Sequence, residues 1–123
     1  MDKARCIAFV LALTVSSAIT AVGGEPDTCR QGYVWREAFR GDHVCVTPTV
    51  RDRAAYDNSQ ANARRAPGGG AYGPDTCRQG YVWREARPSD HVCVTPQTRA
   101  ETAADNRQAP ARRARATRFD DNY

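Results

Sequence analysis

An internal duplication constrains this chain more than any other feature of its sequence. The segment from Pro26 to Pro48 returns forty-eight residues later as Pro74 to Pro96. Across twenty-three aligned positions the copies differ only at Phe39/Arg87, Arg40/Pro88 and Gly41/Ser89. The fold must therefore be built from two similar units, each of which fits within one repeat.

Each copy carries two cysteines. Cys29 and Cys45 lie in the first copy, and Cys77 and Cys93 lie at the equivalent positions of the second. Four cysteines permit three pairings, and we expect each copy to bridge its own two, because each ancestral unit had to be self-sufficient. A bridge that closes a loop of about sixteen residues contributes about 3 kcal/mol in the chain-entropy model. That is a large share of the stability of so small a unit.

The amino terminus is typical of a secretory signal peptide. A basic start precedes an apolar stretch that begins at Cys6 and ends in small residues. We expect residues 1–23 to be removed by cleavage after Gly23, or alternatively after Ala21 or Ala18. The other interpretation is an uncleaved anchor, because the stretch approaches the roughly 20 residues of a spanning helix. Cleavage predicts a secreted, periplasmic or cell-surface protein with no stable membrane span.

Composition divides the remaining chain into four parts. Residues 24–65 form the first repeat and residues 74–109 form the second. Between them, residues 66–73 are rich in Gly and Pro and predict a flexible linker. Residues 110–123 are rich in arginine and predict a disordered tail.

Each repeat is predicted to begin with a β-hairpin. In the first copy, residues 32–36 and 43–46 combine aromatic and β-branched side chains, and a short loop separates them. The three differences between the copies fall in this loop. Loop tips tolerate variation best, so the hairpin itself is expected to be the same in both copies.

A short helix is predicted after each hairpin. Thr47-Pro48 and Thr95-Pro96 are typical helix starts, because the Thr hydroxyl can accept an early backbone N–H and Pro suits the first helical position. The helices are predicted over Pro48–Ala63 and Pro96–Gln108, with weak apolar faces that depend on packing against the hairpin. The predicted fold class is a small, disulfide-stabilised α+β protein with tandem units.

Aromatic residues of the hairpins are the strongest candidates for a binding surface. Flat rings on a small sheet can stack on sugars or on apolar groups of a partner. The alternative is that they form the core, since each unit has few other large apolar residues. The residues are Tyr33, Trp35, Tyr81 and Trp83.

The sequence contains no convincing catalytic or metal-binding motif. A zinc site would use Cys29, His43 and Cys45 with a fourth ligand, but the chain lacks a paired C-x-x-C knuckle. Catalysis needs a pocket with walls, for which so small a unit has little material. We therefore predict no catalytic residue, no metal site and no cofactor, and we do not expect an enzyme.

The repeated motif is similar to a known pattern. Cys29–Ala38, which reads CRQGYVWREA, together with Asp42–Pro48, which reads DHVCVTP, and with Arg51, resembles a short two-cysteine repeat of exported bacterial proteins of uncharacterised function. The resemblance covers both copies, and the second departs from it at Arg87-Pro88-Ser89. It implies an accessory extracellular module and carries over no activity or ligand.

Three functional hypotheses follow. The first is an exported tandem binding module that engages a cell-envelope polysaccharide or an extracellular protein through two similar surfaces. The second is a protease inhibitor or effector that acts through its hairpin tips, and the third is a purely structural envelope protein. We do not expect nucleic acid as a partner, because the chain is predicted to be exported and a formal net charge of +4 is too small to dictate a partner.

Overall fold

Each repeat folds into a short antiparallel hairpin followed by a helix, in a computed structural model that describes residues 26–114. The predicted α+β class with disulfide-stabilised tandem units is confirmed. The elements are β1 (Val34–Trp35), β2 (Cys45–Val46), α1 (Pro48–Gln60), β3 (Val82–Trp83), β4 (Cys93–Val94), α2 (Pro96–Gln108) and a 3-10 helix (Ala109–Arg112). The predicted signal peptide and residues 115–123 of the predicted tail lie outside the described residues.

The two hairpins have the same register. In the first, Val34 pairs with Val46 and Trp35 with Cys45, and the second repeats this pairing forty-eight residues later. The strands are shorter than predicted. Glu37 and the equivalent Glu85 have φ angles of 53° and 56°, and this left-handed conformation ends regular strand pairing.

Both helices begin as predicted. The Thr47 hydroxyl accepts from the backbone N–H of Val50, the equivalent Thr95 accepts from Thr98, and a proline follows each cap. The second helix ends at Gln108, as predicted. The first ends at Gln60, so its predicted end at Ala63 is wrong.

A shallow core lies where the two repeats meet. Ala38 and Ala54 of the first repeat cluster with Ala86 of the second, and Phe39 packs against the cluster. Val46 and Val94 are also completely buried. Because residues of both copies share this core, the repeats form a single packed body.

The segment between the repeats is ordered, which corrects the prediction of a flexible linker over residues 66–73. The backbone N–H of Ala66 donates to the carbonyl of Thr76, and Gly70 and Gly73 donate to each other. A Cβ atom at Gly70 would lie 2.8 Å from the Thr76 side chain. The glycines therefore allow a tight turn to form.

The start of the predicted tail is also ordered. Ala109–Arg112 form the 3-10 helix, and Arg113 pairs with Cys29 in an isolated bridge. The prediction of a disordered tail from residue 110 is therefore wrong for residues 110–114, because they are paired with the first repeat.

The two repeats are joined by carboxyl arms. We define arm 1 as residues 63–66 and arm 2 as residues 111–114; both read Ala-Arg-Arg-Ala. Arm 1 pairs with residues 76–78 of the second repeat, and arm 2 pairs with residues 28–30 of the first. Each repeat thus places its arm on the other repeat. No helix within residues 26–114 has the length and apolar character needed to cross a membrane.

Candidate functional site

The predicted aromatic residues line two grooves at equivalent places in the repeats. Groove 1, of about 360 Å³, is lined by Thr28, Cys29, Tyr33, Val34, Trp35 and Arg51. Groove 2, of about 380 Å³, is lined by Tyr72, Thr76, Cys77, Tyr81, Val82, Trp83 and Arg99. The structure therefore brings together Tyr33 with Trp35, and Tyr81 with Trp83. All four side chains are half-buried and lie outside the fully buried core.

One cysteine of each disulfide lines a groove. Cys29–Cys45 and Cys77–Cys93 are bonded, as predicted, and Cys29 and Cys77 contribute to the groove walls. Each bond ties β2 or β4 to the segment that precedes the hairpin. A covalent tie at this point limits how far the groove can open.

Each tryptophan is held in place by the start of its own repeat. The indole N–H of Trp35 donates to the carbonyl of Asp27 at 2.8 Å, and the Asp27 carboxylate contacts His43 Nδ1 at 2.8 Å. The His43 ring stacks on the indole with a centroid separation of 3.7 Å. The ring is therefore fixed by one hydrogen bond and one stacked neighbour, which leaves it little rotational freedom.

The second repeat builds the same support around Trp83. Its indole N–H donates to the carbonyl of Asp75, and His91 stacks on the ring at 3.6 Å. The hydrogen bond from His91 lowers the pKa of the Asp75 carboxyl; slight desolvation opposes this effect and the nearby Arg65 charge adds to it. The histidines thus hold the two tryptophan rings in position.

Arginines of the arms contact the tyrosine of each groove. The Arg112 guanidinium lies over the Tyr33 ring, 5.0 Å from its centroid, and Nη1 donates to the carbonyl of Cys45 at 3.0 Å. In the second repeat, Arg64 makes the equivalent contacts with Tyr81 and Cys93, also at 5.0 and 3.0 Å. The tyrosine that lines each groove is therefore in contact with an arginine of the opposite repeat.

Charged residues stand at the rim of each groove. Arg51 Nη1 lies 3.9 Å from a Glu37 carboxylate oxygen, and Arg99 Nη1 lies 3.7 Å from Glu85. These pairs are solvent-exposed, so each contributes little to stability. Their guanidinium groups are free to offer N–H donors to a ligand in the groove.

Tyr72 makes the second groove different from the first. Its ring meets the Trp83 ring edge-on, with centroids 5.5 Å apart and an interplanar angle of 61°. The side chain is 70% exposed. An exposed aromatic residue at this place extends groove 2 with a further apolar surface.

The hairpin tips contact each other where the repeats meet. The Arg87 guanidinium lies 3.9 Å from the centroid of the Phe39 ring, and Phe39 packs on the alanine cluster. An inhibitor of the kind considered above needs a tip that projects freely into a protease cleft. Two tip residues on which that hypothesis depends, Phe39 and Arg87, instead contact each other within the molecule.

The zinc alternative has no support in the described structure. Its sulfur ligands Cys29 and Cys45 form a disulfide, and His43 is hydrogen-bonded to Asp27. Within residues 26–114, no cluster of three or more His, Cys, Asp or Glu side chains has the arrangement of a metal site.

Sequence reasoning missed the arms as part of the site. Arg64 and Arg112 were assigned to the end of the first repeat and to the tail. The signal was nevertheless in the sequence, because Ala-Arg-Arg-Ala recurs at the same forty-eight-residue interval as the hairpin, beyond a stretch in which the copies diverge. Identity retained after such divergence indicates a shared contact.

No family model, curated protein or solved structure matches this chain. The geometry of the two grooves is therefore the basis for a functional proposal.

Proposed function

We propose that this protein is an exported binding module whose two grooves hold units of a repetitive saccharide polymer of the cell envelope. The single observation that carries the proposal is the duplicated groove. One packed body presents the same Tyr, Trp, Thr and Arg constellation twice. The two disulfides are compatible with an oxidising compartment outside the cytoplasm.

The grooves suit sugars in size and chemistry. Their volumes of about 360 and 380 Å³ lie at the lower end of the range typical of small-ligand sites. A half-buried indole offers an apolar face to the C–H groups of a pyranose ring, and the neighbouring hydroxyl and guanidinium groups can bond its hydroxyls. A small apolar platform with a few polar groups is the usual composition of such a site.

The fixed spacing of the two grooves, rather than a flexible linker, is the source of avidity. Because the repeats share a core and the linker is a closed turn, the grooves are held in one relative position. A polymer whose repeat matches that position gains from simultaneous engagement, whereas a single sugar unit does not.

The test is to titrate the protein with soluble cell-wall glycans of defined length and to measure binding by calorimetry. Replacing exposed Arg51 or Arg99 by Ala is expected to weaken polymer binding about tenfold. The double variant is expected to weaken binding by more than the product of the two single effects. The matched control is Arg107→Ala, which removes an exposed arginine of α2 outside both grooves.

Equal affinity for short and long glycans would contradict avidity. Unchanged binding in the double variant would exclude the grooves, and binding to an extracellular protein with no affinity for glycans would assign the grooves to the other partner class. A failure to retain any envelope component would favour a purely structural protein.

A further inference from the structure

The interface between the repeats is reciprocal. Arg30 N–H donates to the carbonyl of Arg112 at 2.8 Å, and Ala114 N–H donates to Thr28 at 2.8 Å. The equivalent pairs, Arg78 with Arg64 and Ala66 with Thr76, have the same distances. Each hairpin segment thus gains a short antiparallel partner from the other repeat, as in recognition by strand addition.

Side chains reinforce the same reciprocity. Arg30 Nε donates to the carbonyl of Ala111 at 2.9 Å, and Arg78 Nε donates to Ala63 at 2.8 Å. The arm arginines are also paired with the ends of the helices, because Arg112 lies 3.0 Å from Asp105 and Arg64 lies 3.0 Å from Asp57. Both ion pairs lie within one repeat. A repeat without its counterpart would therefore keep them, but it would leave the Arg30 and Arg78 side chains without their carbonyl partners.

At two places in this interface, a residue of repeat 1 contacts the residue at the equivalent position of repeat 2. In both cases the two side chains differ and attract each other. Arg53 and Glu101 occupy equivalent positions in the two helices and form an ion pair with each other. Phe39 and Arg87 are likewise equivalent and in contact. Two identical repeats would place like charges or identical rings at these contacts. Repeat 1 therefore matches repeat 2 better than either matches itself.

Only the glycine turn connects the two matched halves. Its own backbone bonds join Gly69 to Ala66 and Gly70 to Gly73, and they can be lost without breaking a disulfide, a hairpin, a helix or an arm contact. When this turn opens, repeat 1 of one chain can receive repeat 2 of another chain with every inter-repeat contact intact. Exchange of an identical element through a hinge loop is a low-cost route to a dimer.

We propose that a second copy of this chain is a partner of the interface between the repeats, in a dimer that exchanges whole repeats about the turn at residues 66–73. Each lobe of the dimer consists of repeat 1 from one chain and repeat 2 from the other. Each groove is then supported by the other chain, because Arg112 of one chain lies over Tyr33 of the other. One assembly presents four grooves.

Concentration sets which form is populated. A short closed turn holds the repeats at a local concentration on the order of millimolar. The monomer is therefore expected at micromolar concentrations, and exchanged dimers are expected when the chain refolds near 1 mM with its disulfides intact.

Charge-reversed full-length chains provide the sharpest test. Arg53→Glu alone faces Glu101 with a like charge, and Glu101→Arg alone faces Arg53 with a like charge. A dimer of one chain of each kind restores an oppositely charged pair in both lobes. Both side chains are solvent-exposed to about the same extent, at 41% and 44%, so neither change buries a charge.

The two variants are refolded at about 1 mM, separately and as a 1:1 mixture, and native mass spectrometry counts the chains. We expect the heterodimer to exceed each homodimer about tenfold, because a preference of about 1 kcal/mol multiplies the statistical ratio of about two by about five. A mixture that contains only folded monomers, or dimers in statistical proportion, would overturn the exchange model.

A hinge variant gives an independent readout. Gly70→Val places its Cβ against Thr76 in the closed turn, and is expected to raise the dimer fraction. The matched control is Ala71→Val, an exposed turn residue that should leave the fraction unchanged. A monomeric Gly70→Val chain with native near-ultraviolet dichroism would argue against the turn as the hinge. This test does not depend on glycan binding, so the exchange model and the binding proposal can fail separately.

Discussion

At the scale of single residues, each hairpin is organised around a buried ion pair. Arg36 and Arg84 are both only 2% exposed. Arg84 forms a two-pronged contact with Asp90, with Nε–Oδ2 at 2.6 Å and Nη2–Oδ1 at 3.1 Å. Asp90 also accepts the backbone N–H of Ala86 at 2.9 Å. A buried charge is tolerated here because its partners are close and well oriented.

Removing one partner of this pair should be costly. In Asp90→Asn the Arg84 charge stays buried without a carboxylate, and we expect a loss of about 3 kcal/mol in the free energy of unfolding. Urea unfolding at neutral pH measures the loss. The matched control is Glu85→Gln, which changes an exposed neighbouring carboxylate and should cost less than about 1 kcal/mol. Equal effects of the two variants would show that burial of the ion pair is unimportant.

The same carboxylates predict how stability depends on pH. Desolvation acts to raise the pKa of Asp90, but the hydrogen bonds from Arg84, Ala86 and Val92 outweigh it, and the pKa is lowered. The pKa of Asp75 is also lowered, chiefly by His91. A carboxylate of this kind stabilises the fold above its unfolded pKa of about 3.9, and this contribution is lost as pH falls through the folded pKa. Urea unfolding from pH 7 to pH 2 should therefore show stability falling below about pH 4; a rise between pH 5 and pH 3 would contradict the assignment.

At the scale of elements, the helices depend on their caps and on tertiary contacts. Only Ala54 and Asp57 are buried in α1, and only Thr102 is buried in α2. Asn58 and Asn106 each donate a side-chain hydrogen bond to a carbonyl of the hairpin of their own repeat. A short helix with so little apolar burial is marginal when isolated.

The N-cap should therefore have a measurable effect. Thr95→Ala removes the hydroxyl that accepts from Thr98 N–H at 3.1 Å, and we expect a loss of about 1 kcal/mol. Thr49→Ala is the control, since it makes the same chemical change at an exposed helical position beyond the cap. Thermal unfolding followed by far-ultraviolet dichroism gives both values. A Thr95→Ala chain as stable as the control would mean that water satisfies the helix end equally well.

Local chemistry explains which parts of each repeat could be predicted from sequence. The helix starts followed from Thr47-Pro48 and Thr95-Pro96, because capping depends on adjacent residues alone. The disulfides followed from the duplication. The early end of α1 and the order of residues 110–114 could not be predicted in this way, since the arms take their conformation from the opposite repeat. The buried position of Arg36 also depends on a partner six residues away at the far side of the loop.

At the scale of the whole molecule, the differences between the repeats have a structural meaning. Sequence alone indicated tolerated variation at the hairpin tips. In the structure, Phe39 and Arg87 contact each other, and the equivalent helix positions hold the Arg53–Glu101 pair. Duplication within one chain permits such asymmetry, because each member of an equivalent pair can change separately. The two grooves, in contrast, retain matching residues.

A double-mutant cycle at the tips tests this complementarity within the monomer. Phe39→Arg places two arginines together, and Arg87→Phe removes the cation from the ring, so each single variant should lose about 1 kcal/mol or more. The double variant Phe39→Arg/Arg87→Phe restores a ring and a cation with their positions exchanged. Because the tips lie at equivalent places around a shared alanine cluster, we expect it to recover most of the loss. Guanidinium unfolding of the four chains at micromolar concentration gives the coupling energy, with about 1 kcal/mol expected. Additive losses would mean that Phe39 acts only by packing on the cluster, and the pairing preference of the repeats would then depend on the helix charges alone.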